Sequence, residues 1–340
     1  MKSNYRYIVK AFMAMAVIAG TTSCDDFLDR EPMSSISPET YYSTAAQLEA
    51  NLNDEYPNVL PSFGQWTYGI FGEDKGTDNQ IEVNANDRYT QDRWKVPHSE
   101  SDNWKFERIY RINFFLSEAL PKFGEDMSGS QNTISGSVAT IKHYIGEMYF
   151  LRAYEYFKKL QLFGDFPIID QPLADEMEAL REASKRFPRN EVARFIISDL
   201  DKAYAYMSDV DMATTRINKD AAMLVKSRVA LFEATWLQNF KGTAFVPGGE
   251  GWPGASLHNN YQYPSGNLDN EVKYFLEQAV EASKLVADKY KGNLTENTGV
   301  LQQSADDPSN PYFDMFAQED LSDVKEVLLW RQYALSLIHI

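Results

Sequence analysis

Apolar residues recur through the middle of this chain at intervals of three and four, the spacing that lines one face of an α-helix. The longest such run predicts a helix over about 138–163. One stripe is Ile141, Ile145, Met148 and Leu151; a second is Tyr149, Phe150, Ala153, Phe157 and Leu160. A helix apolar on two sides is packed between neighbours on both. It should end at Gly164-Asp165-Phe166-Pro167, where Gly takes a left-handed conformation and Pro blocks continuation. Upstream, Ser37-Pro38 reads as a helix start and Thr44-Ala45-Ala46-Gln47 as a capping box for a helix toward Tyr56. Trp104, Arg108, Ile112, Phe115 and Ala119 predict another helix, ended by Pro121. Downstream, Asn190 should cap a helix with Val192, Phe195, Ile196, Leu200 and Ala203 inward. Asn218 should cap one carrying Ala222, Val225, Val229, Phe232 and Trp236. A further helix over 270–291 shows Val272, Leu276, Ala279, Val286 and Tyr290, and Val327–Trp330 reads as a possible strand.

These helices come in successive pairs with short links, the organisation of a helical repeat array. The expected fold is therefore mainly all-α, a tetratricopeptide-like solenoid of helix pairs, with a non-repeating bundle as the alternative. Two stretches break the periodicity, 57–100 and 242–268. Both are rich in Gly, Pro and aromatic residues and read as long loops. Tyr149, Phe150, Tyr154, Phe157, Phe195, Phe232 and Trp236 fall on helical stripes and are assigned to the core. Arg152, inside an apolar helix, should pair with a buried acid or a helix end.

The amino terminus adds chemistry. A basic start with Lys2 and Arg6 is followed by an apolar stretch from Tyr7 to Gly20, then Thr21-Thr22-Ser23 and Cys24, the one cysteine of the chain. That order is a secretory signal, over residues 1–23, and the apolar run is short of the roughly 20 residues of a membrane span. A lone cysteine in an exported protein has no internal disulfide partner, so Cys24 is the candidate for lipid attachment. Residues 24–36 read as an extended tether. The chain carries a formal net charge of −16, and removing Lys2, Arg6 and Lys10 deepens it. Such a surface disfavours nucleic acid, whose binding requires phosphate neutralisation. Membrane attachment then falls to the lipid.

Gly146-Glu147-Met148-Tyr149-Phe150-Leu151-Arg152-Ala153-Tyr154-Glu155-Tyr156-Phe157, followed by Leu162-Phe163-Gly164-Asp165-Phe166-Pro167, resembles the central signature of the RagB/SusD family. Trp104 with Tyr110 and Asn113, Arg189-Asn190-Glu191-Val192 to Asp199-Leu200, Lys219 through Leu231, Asn310 through Phe316, and Glu326-Val327-Leu328-Leu329-Trp330 resemble its other segments in order. The resemblance implies a surface nutrient-binding lipoprotein of Bacteroidetes glycan uptake. It would face the exterior of the outer membrane, with an oligosaccharide ligand and a TonB-dependent (SusC-like) transporter as partner. It assigns residues 37–340 to one SusD-like helical repeat domain, incomplete at its C-terminal side, with Leu335 to Ile340 outside any family pattern.

The resemblance implies capture without catalysis, and the residues agree. The four His have no metal-ligand spacing and no nucleophile motif or phosphate-cradling loop is present, so neither metal nor cofactor is expected. The acidic pairs Glu73-Asp74 and Asp306-Asp307 leave a surface glycosidase as a rival, and a peptide-uptake version of the same fold is another. Sugar capture needs flat aromatic faces flanked by planar hydrogen-bonding groups. Two sets offer this. Trp66, Tyr68, Asp78, Asn79, Arg88 and Trp94 lie in the first loop. Trp252 and Tyr261 lie in the second, beside His258, Asn259, Asn260 and Tyr263. The two loops are expected to converge on one face of the array. The alternative for Gly251-Trp252-Pro253-Gly254 is that it pins its loop to the body.

Overall fold

The structure, a computed structural model, describes residues 41–61, 80, 103–124, 126–208, 212–301, 304 and 306–332. The signal and tether over 1–36, the Ser37-Pro38 start, most of 57–100 and residues 335–340 lie outside the described residues. The described part is all-α, with eight α-helices and two isolated β-bridges, Thr44 with Ser135 and Phe166 with Phe187.

Helix α1, Ala45–Val59, starts on the expected capping box. Gln47 donates its N–H to Thr44 Oγ1 at 3.3 Å, and its side-chain oxygen accepts from the Thr44 N–H at 3.0 Å. Helix α2, Glu107–Phe123, buries Ile109, Ile112, Phe115, Leu116, Ala119 and Phe123. Its stripe thus begins at Ile109 and not at Arg108, which is exposed and reaches toward Glu155. Pro121 does not end α2. Proline removes the hydrogen bond to the carbonyl four residues back. That carbonyl belongs to exposed Ser117, where water can satisfy it, so the helix runs on to Gly124 (φ 106°).

Helix α3, Val138–Phe163, has the expected bounds. Ser137 caps it and Gly164 (φ 69°) ends it. It packs against α1 and α2 on one side and against α5, Arg189–Tyr206, and α6, Lys219–Asn239, on the other. Both its apolar stripes are buried, Tyr149 and Phe157 least at 7% and 5% exposure. Gly146 marks the closest approach to α5. A Cβ there would meet Met207 N and Cγ at 2.8 Å and Ala203 O at 2.9 Å. Arg152 is buried as expected. Its Nε and Nη2 donate to Asp199 at 2.6 and 2.9 Å, and its Nη1 to Asn113 Oδ1 and the Asp170 carbonyl, both at 2.9 Å.

The short α4, Met177–Ala183, is exposed. Beyond it, α5, α6 and α7 (Leu268–Tyr290) pack successively. Ion pairs show that neighbours run antiparallel. Arg189 meets Glu233 while Asp201 meets Lys226, and Asp220 meets Lys289 while Asp269 meets Lys241. This is the helix-pair array that the periodicity predicts. Helix α8, Pro311–Ala317, follows within the C-terminal segment.

Four expectations need correction. Asn190 is the second residue of α5 and does not cap it; its side chain turns inward to Tyr261 and Glu271. Phe195, Phe232, Trp236 and Tyr154 are half-buried and not core. In α6 the core face belongs to Ala222, Val229, Ala230, Glu233, Ala234 and Leu237, because small residues admit the neighbouring helices. In α7 the buried line is Glu271, Phe275, Ala279, Ala282 and Val286, so Leu276 points outward at 38% exposure. Val327–Trp330 makes no strand. Its main chain instead leans on the link before α6, with the Trp330 N–H donated to the Thr214 carbonyl at 3.1 Å.

Candidate functional site

The 242–268 stretch has one short 3-10 turn, Pro253–Ser256, and is held by side chains reaching into α5, α7 and the end of α3. Trp252 is its anchor, 5% exposed. The indole Nε1 donates to Asp165 Oδ2 at 2.7 Å, and Asp165 Oδ1 accepts from the Arg189 N–H at 2.9 Å. Burial pushes the Asp165 carboxyl up from its ordinary range, and these two donors oppose the shift. The Trp252 ring lies beside His258 and Tyr261, at centroid distances of 6.0 and 5.6 Å. Gly254 is required here, since a Cβ would stand 2.2 Å from the indole.

Tyr261 is the second anchor. Its hydroxyl donates to Asn190 Oδ1 at 3.1 Å and accepts from Asn190 Nδ2 at 2.9 Å. Glu271, fully buried, accepts from Arg194, from Asn190 and from the Ser265 N–H, closing the loop onto α7. Burial alone would raise the Glu271 carboxyl, but these hydrogen bonds outweigh it and hold the group below its ordinary value. The loop is therefore a packed unit, and Trp252 and Tyr261 serve as its pins. Trp252 is buried and Tyr261 partly exposed.

What the pins expose is the surface around the loop tip. His258 Nε2 donates to the Arg186 carbonyl at 2.8 Å. The Arg186 guanidinium lies over the Trp104 ring, 4.6 Å from its centroid. Arg186 thus joins the second loop to Trp104, the residue that follows the first aromatic stretch in sequence. Trp104 is fixed by edge contacts with Phe106, Phe163 and Phe166 at 5.0–5.5 Å. Phe187 is 37% exposed, its ring 6.4 Å from that of His258, while its backbone pairs with Phe166. Asn259 and Asn260 are exposed beside it, Asn260 with φ 55°. The segment held by His258 thus carries an exposed guanidinium and a partly exposed ring, and the loop that holds it carries two exposed amides.

A separate groove of about 920 Å³ lies between α1, α3, α6 and residues 326–332. Tyr56, Phe150, Tyr154, Leu224, Val225 and Trp330 line it. Its buried polar edges are already engaged. Tyr56 donates to Glu147 at 2.8 Å, and Trp330 Nε1 to Thr214 Oγ1 at 2.8 Å. Glu147 also receives Arg216 through two nitrogens, so this groove wall is a structural clamp.

A family model described as "Starch-binding associating with outer membrane" matches residues 26–231, more than half of the chain. The chain belongs to the SusD-like family. Among curated relatives, SusD-like protein P2 of Formosa agariphila is 25% identical over 253 residues, covering 71% of this chain and 46% of that protein. SusD-like protein P25 of the same organism is 25% identical over 233 residues, covering 63% and 41%. A solved SusD-like carbohydrate binding protein from Bacteroides vulgatus aligns over 76% of this chain and 47% of its own, at 14% identity and a TM-score of 0.42. The chain spans about half the length of the curated relatives it matches.

Within this SusD-like chain the other expected ligand residues, Trp66, Tyr68, Asp78, Asn79, Arg88 and Trp94, lie outside the described residues, as does Cys24. Sequence reasoning missed Arg186, Phe187 and the positioning of Trp104. The available signal was Lys185-Arg186-Phe187-Pro188, an aromatic residue outside any helical stripe just before a helix-starting proline.

Proposed function

We propose that this SusD-like chain captures oligosaccharides non-covalently at the cell surface and passes them to a TonB-dependent outer-membrane transporter. The lipid on Cys24 would hold it at the outer membrane. The observation that carries the reading is the family match over 26–231, whose description couples glycan binding to outer-membrane association. Among the described residues no helix is long and apolar enough to cross a membrane, which is consistent with attachment by a lipid. Local retention raises the ligand's effective concentration at the transporter mouth without any chemical step.

In this reading the ligand face combines the aromatic and amide groups of the first loop, above all Trp66 and Trp94, with the surface at Arg186, Phe187 and His258. Trp252 and Tyr261 contribute by fixing the loop that carries His258. The test is incubation of the full chain with neutral and acidic oligosaccharides, read by calorimetry and by reducing-end assay. Retention without new reducing ends is expected. Trp66→Ala or Trp94→Ala should weaken binding by about 1–3 kcal/mol with an unchanged melting temperature. New reducing ends would favour the glycosidase instead. Metabolic labelling with a fatty-acid probe tests the anchor: Cys24→Ala should abolish the label, and equal labelling of wild type and variant would remove the lipid from the account.

A further inference from the structure

Most arginines of the described core spend their guanidinium on carboxylates. Arg152 is committed to Asp199, Arg189 to Glu233, Arg194 to Glu271 and Arg216 to Glu147. Arg186 is different. It is exposed, its guanidinium lies over the Trp104 ring, and its side chain makes no hydrogen bond or ion pair with any described residue. This is so in a chain with 49 acidic side chains against 33 basic ones. Asp165 has both oxygens occupied by the Trp252 indole and the Arg189 N–H. The neighbouring Lys185 is paired with Glu182.

We propose that Arg186 is a ligand-binding residue and that the oligosaccharide it selects carries a carboxylate, as a uronic acid does. This rests on the glycan-capture reading above and names the class of sugar. A guanidinium held by its face keeps its N–H donors free, because they lie in the plane at its edge. Two parallel donors match the two oxygens of one carboxylate, a geometry that a lysine or an amide lacks. The contact with the Trp104 ring, 4.6 Å from its centroid, holds the guanidinium in place before the ligand arrives, so less freedom is lost on binding. The hydrogen bond from His258 to the Arg186 carbonyl fixes the backbone beneath it. The adjoining residue Phe187 has a 37% exposed ring, and Asn259 and Asn260, next to the His258 that holds the Arg186 carbonyl, have exposed amides; such groups suit a pyranose face and its hydroxyls. An acidic peptide would match the fork, but the adjoining flat ring and paired amides favour the sugar.

The experiment is calorimetric titration of the full chain and of Arg186→Gln with trigalacturonate, maltotriose and a short Asp-Glu peptide of equal charge. The wild type is expected to bind trigalacturonate more tightly than maltotriose, with an affinity that falls as salt rises. Arg186→Gln should lower trigalacturonate affinity by about tenfold, the scale of one charge-assisted hydrogen-bonding group. The exposed position leaves the fold intact, which a melting curve of the variant checks. Arg186→Lys keeps the charge without the planar fork and should recover only part of the loss. Maltotriose bound as well as trigalacturonate, or an Arg186→Gln variant within about twofold of wild type, overturns the role of Arg186 while glycan capture stands. Binding of none of the three by folded wild type overturns both readings. A peptide bound as tightly as trigalacturonate overturns the assignment to a sugar.

Discussion

Helix α3 and the 242–268 loop both bury aromatic rings, by opposite means. In α3 the backbone satisfies its own hydrogen bonds, so the spacing of apolar side chains sets which face is inside. Its one buried guanidinium, on Arg152, is fully engaged by Asp199, Asn113 and Asp170. The loop has no such ladder. Side chains from elsewhere hold it: Asp165 takes the Trp252 indole, Asn190 the Tyr261 hydroxyl and Glu271 the Ser265 N–H. A loop aromatic is therefore not automatically a ligand platform. What decides is whether its polar edge has a buried partner. Trp252 has one and Phe187 has no polar edge to tether.

The largest effect should come from breaking the helical seam. Arg152→Ala leaves Asp199 buried without its main partner, which costs about 3–5 kcal/mol. Phe157→Ala, a large-to-small change in the same helix, belongs to the same range of about 3–5 kcal/mol. Urea unfolding measures both, and a loss below about 1 kcal/mol at either site would mean that α3 is not the centre of the core. The loop should respond less and locally. Trp252→Phe keeps an aromatic ring but orphans the Asp165 oxygen, at about 1–3 kcal/mol. Hydrogen exchange should quicken over 244–263 and stay slow in α3. Equal acceleration in both would show that loop and helix unfold as one unit and erase the contrast.

Acid should separate two buried carboxylates of the neighbouring helices, Glu271 of α7 and Glu233 of α6. The Glu271 carboxyl is held below its ordinary value by Arg194, Asn190 and Ser265 once they outweigh burial. Its stabilisation is present above the unfolded value and is lost as pH falls through the lowered folded one. The penalty of Glu271→Gln should thus be greatest near neutrality and shrink below about pH 4.5. Burial raises the Glu233 carboxyl, and the attraction of Arg189 only partly opposes this. Its sign is reversed, so the cost of its charge is relieved first as pH falls. Denaturation curves of the Glu271→Gln variant across pH provide the check. A penalty that grows on acidification contradicts the hydrogen-bond account.

The helical part of this contrast was largely legible in the sequence, and its errors are instructive. Residues 138–163 could be bounded because Ser137 and Gly164 have local, chemically specific roles at the ends. Asn190 could not be placed, because an asparagine near a helix start looks the same whether it caps or turns inward; its partners Tyr261 and Glu271 are far along the chain. Phe232 and Trp236 fall on a helical stripe of the sequence, whereas close packing of α6 favours its alanines. For the site, the list of aromatic residues was readable but their roles were not. Asp165 and Trp252 are 87 residues apart, and no local pattern links them. Arg186 gains its meaning only from lying over Trp104.

The smallest expected effect sharpens the comparison most. Phe187 and Trp252 both flank His258, yet the Phe187 ring is 37% exposed and its structural contribution is the backbone pairing with Phe166. A substitution that keeps that backbone should leave stability nearly unchanged. Phe187→Ser is expected to alter unfolding free energy by no more than about 0.5 kcal/mol, the usual range for surface positions. If the ring is part of the ligand face, the same variant should lose oligosaccharide affinity by about 1–3 kcal/mol, as a stacking ring does when removed. Chemical denaturation and calorimetry on one preparation give both numbers. A stability loss comparable to that of Trp252→Phe, with binding unchanged, would place Phe187 among the pins. The ligand face would then have to be built without the Phe187 ring.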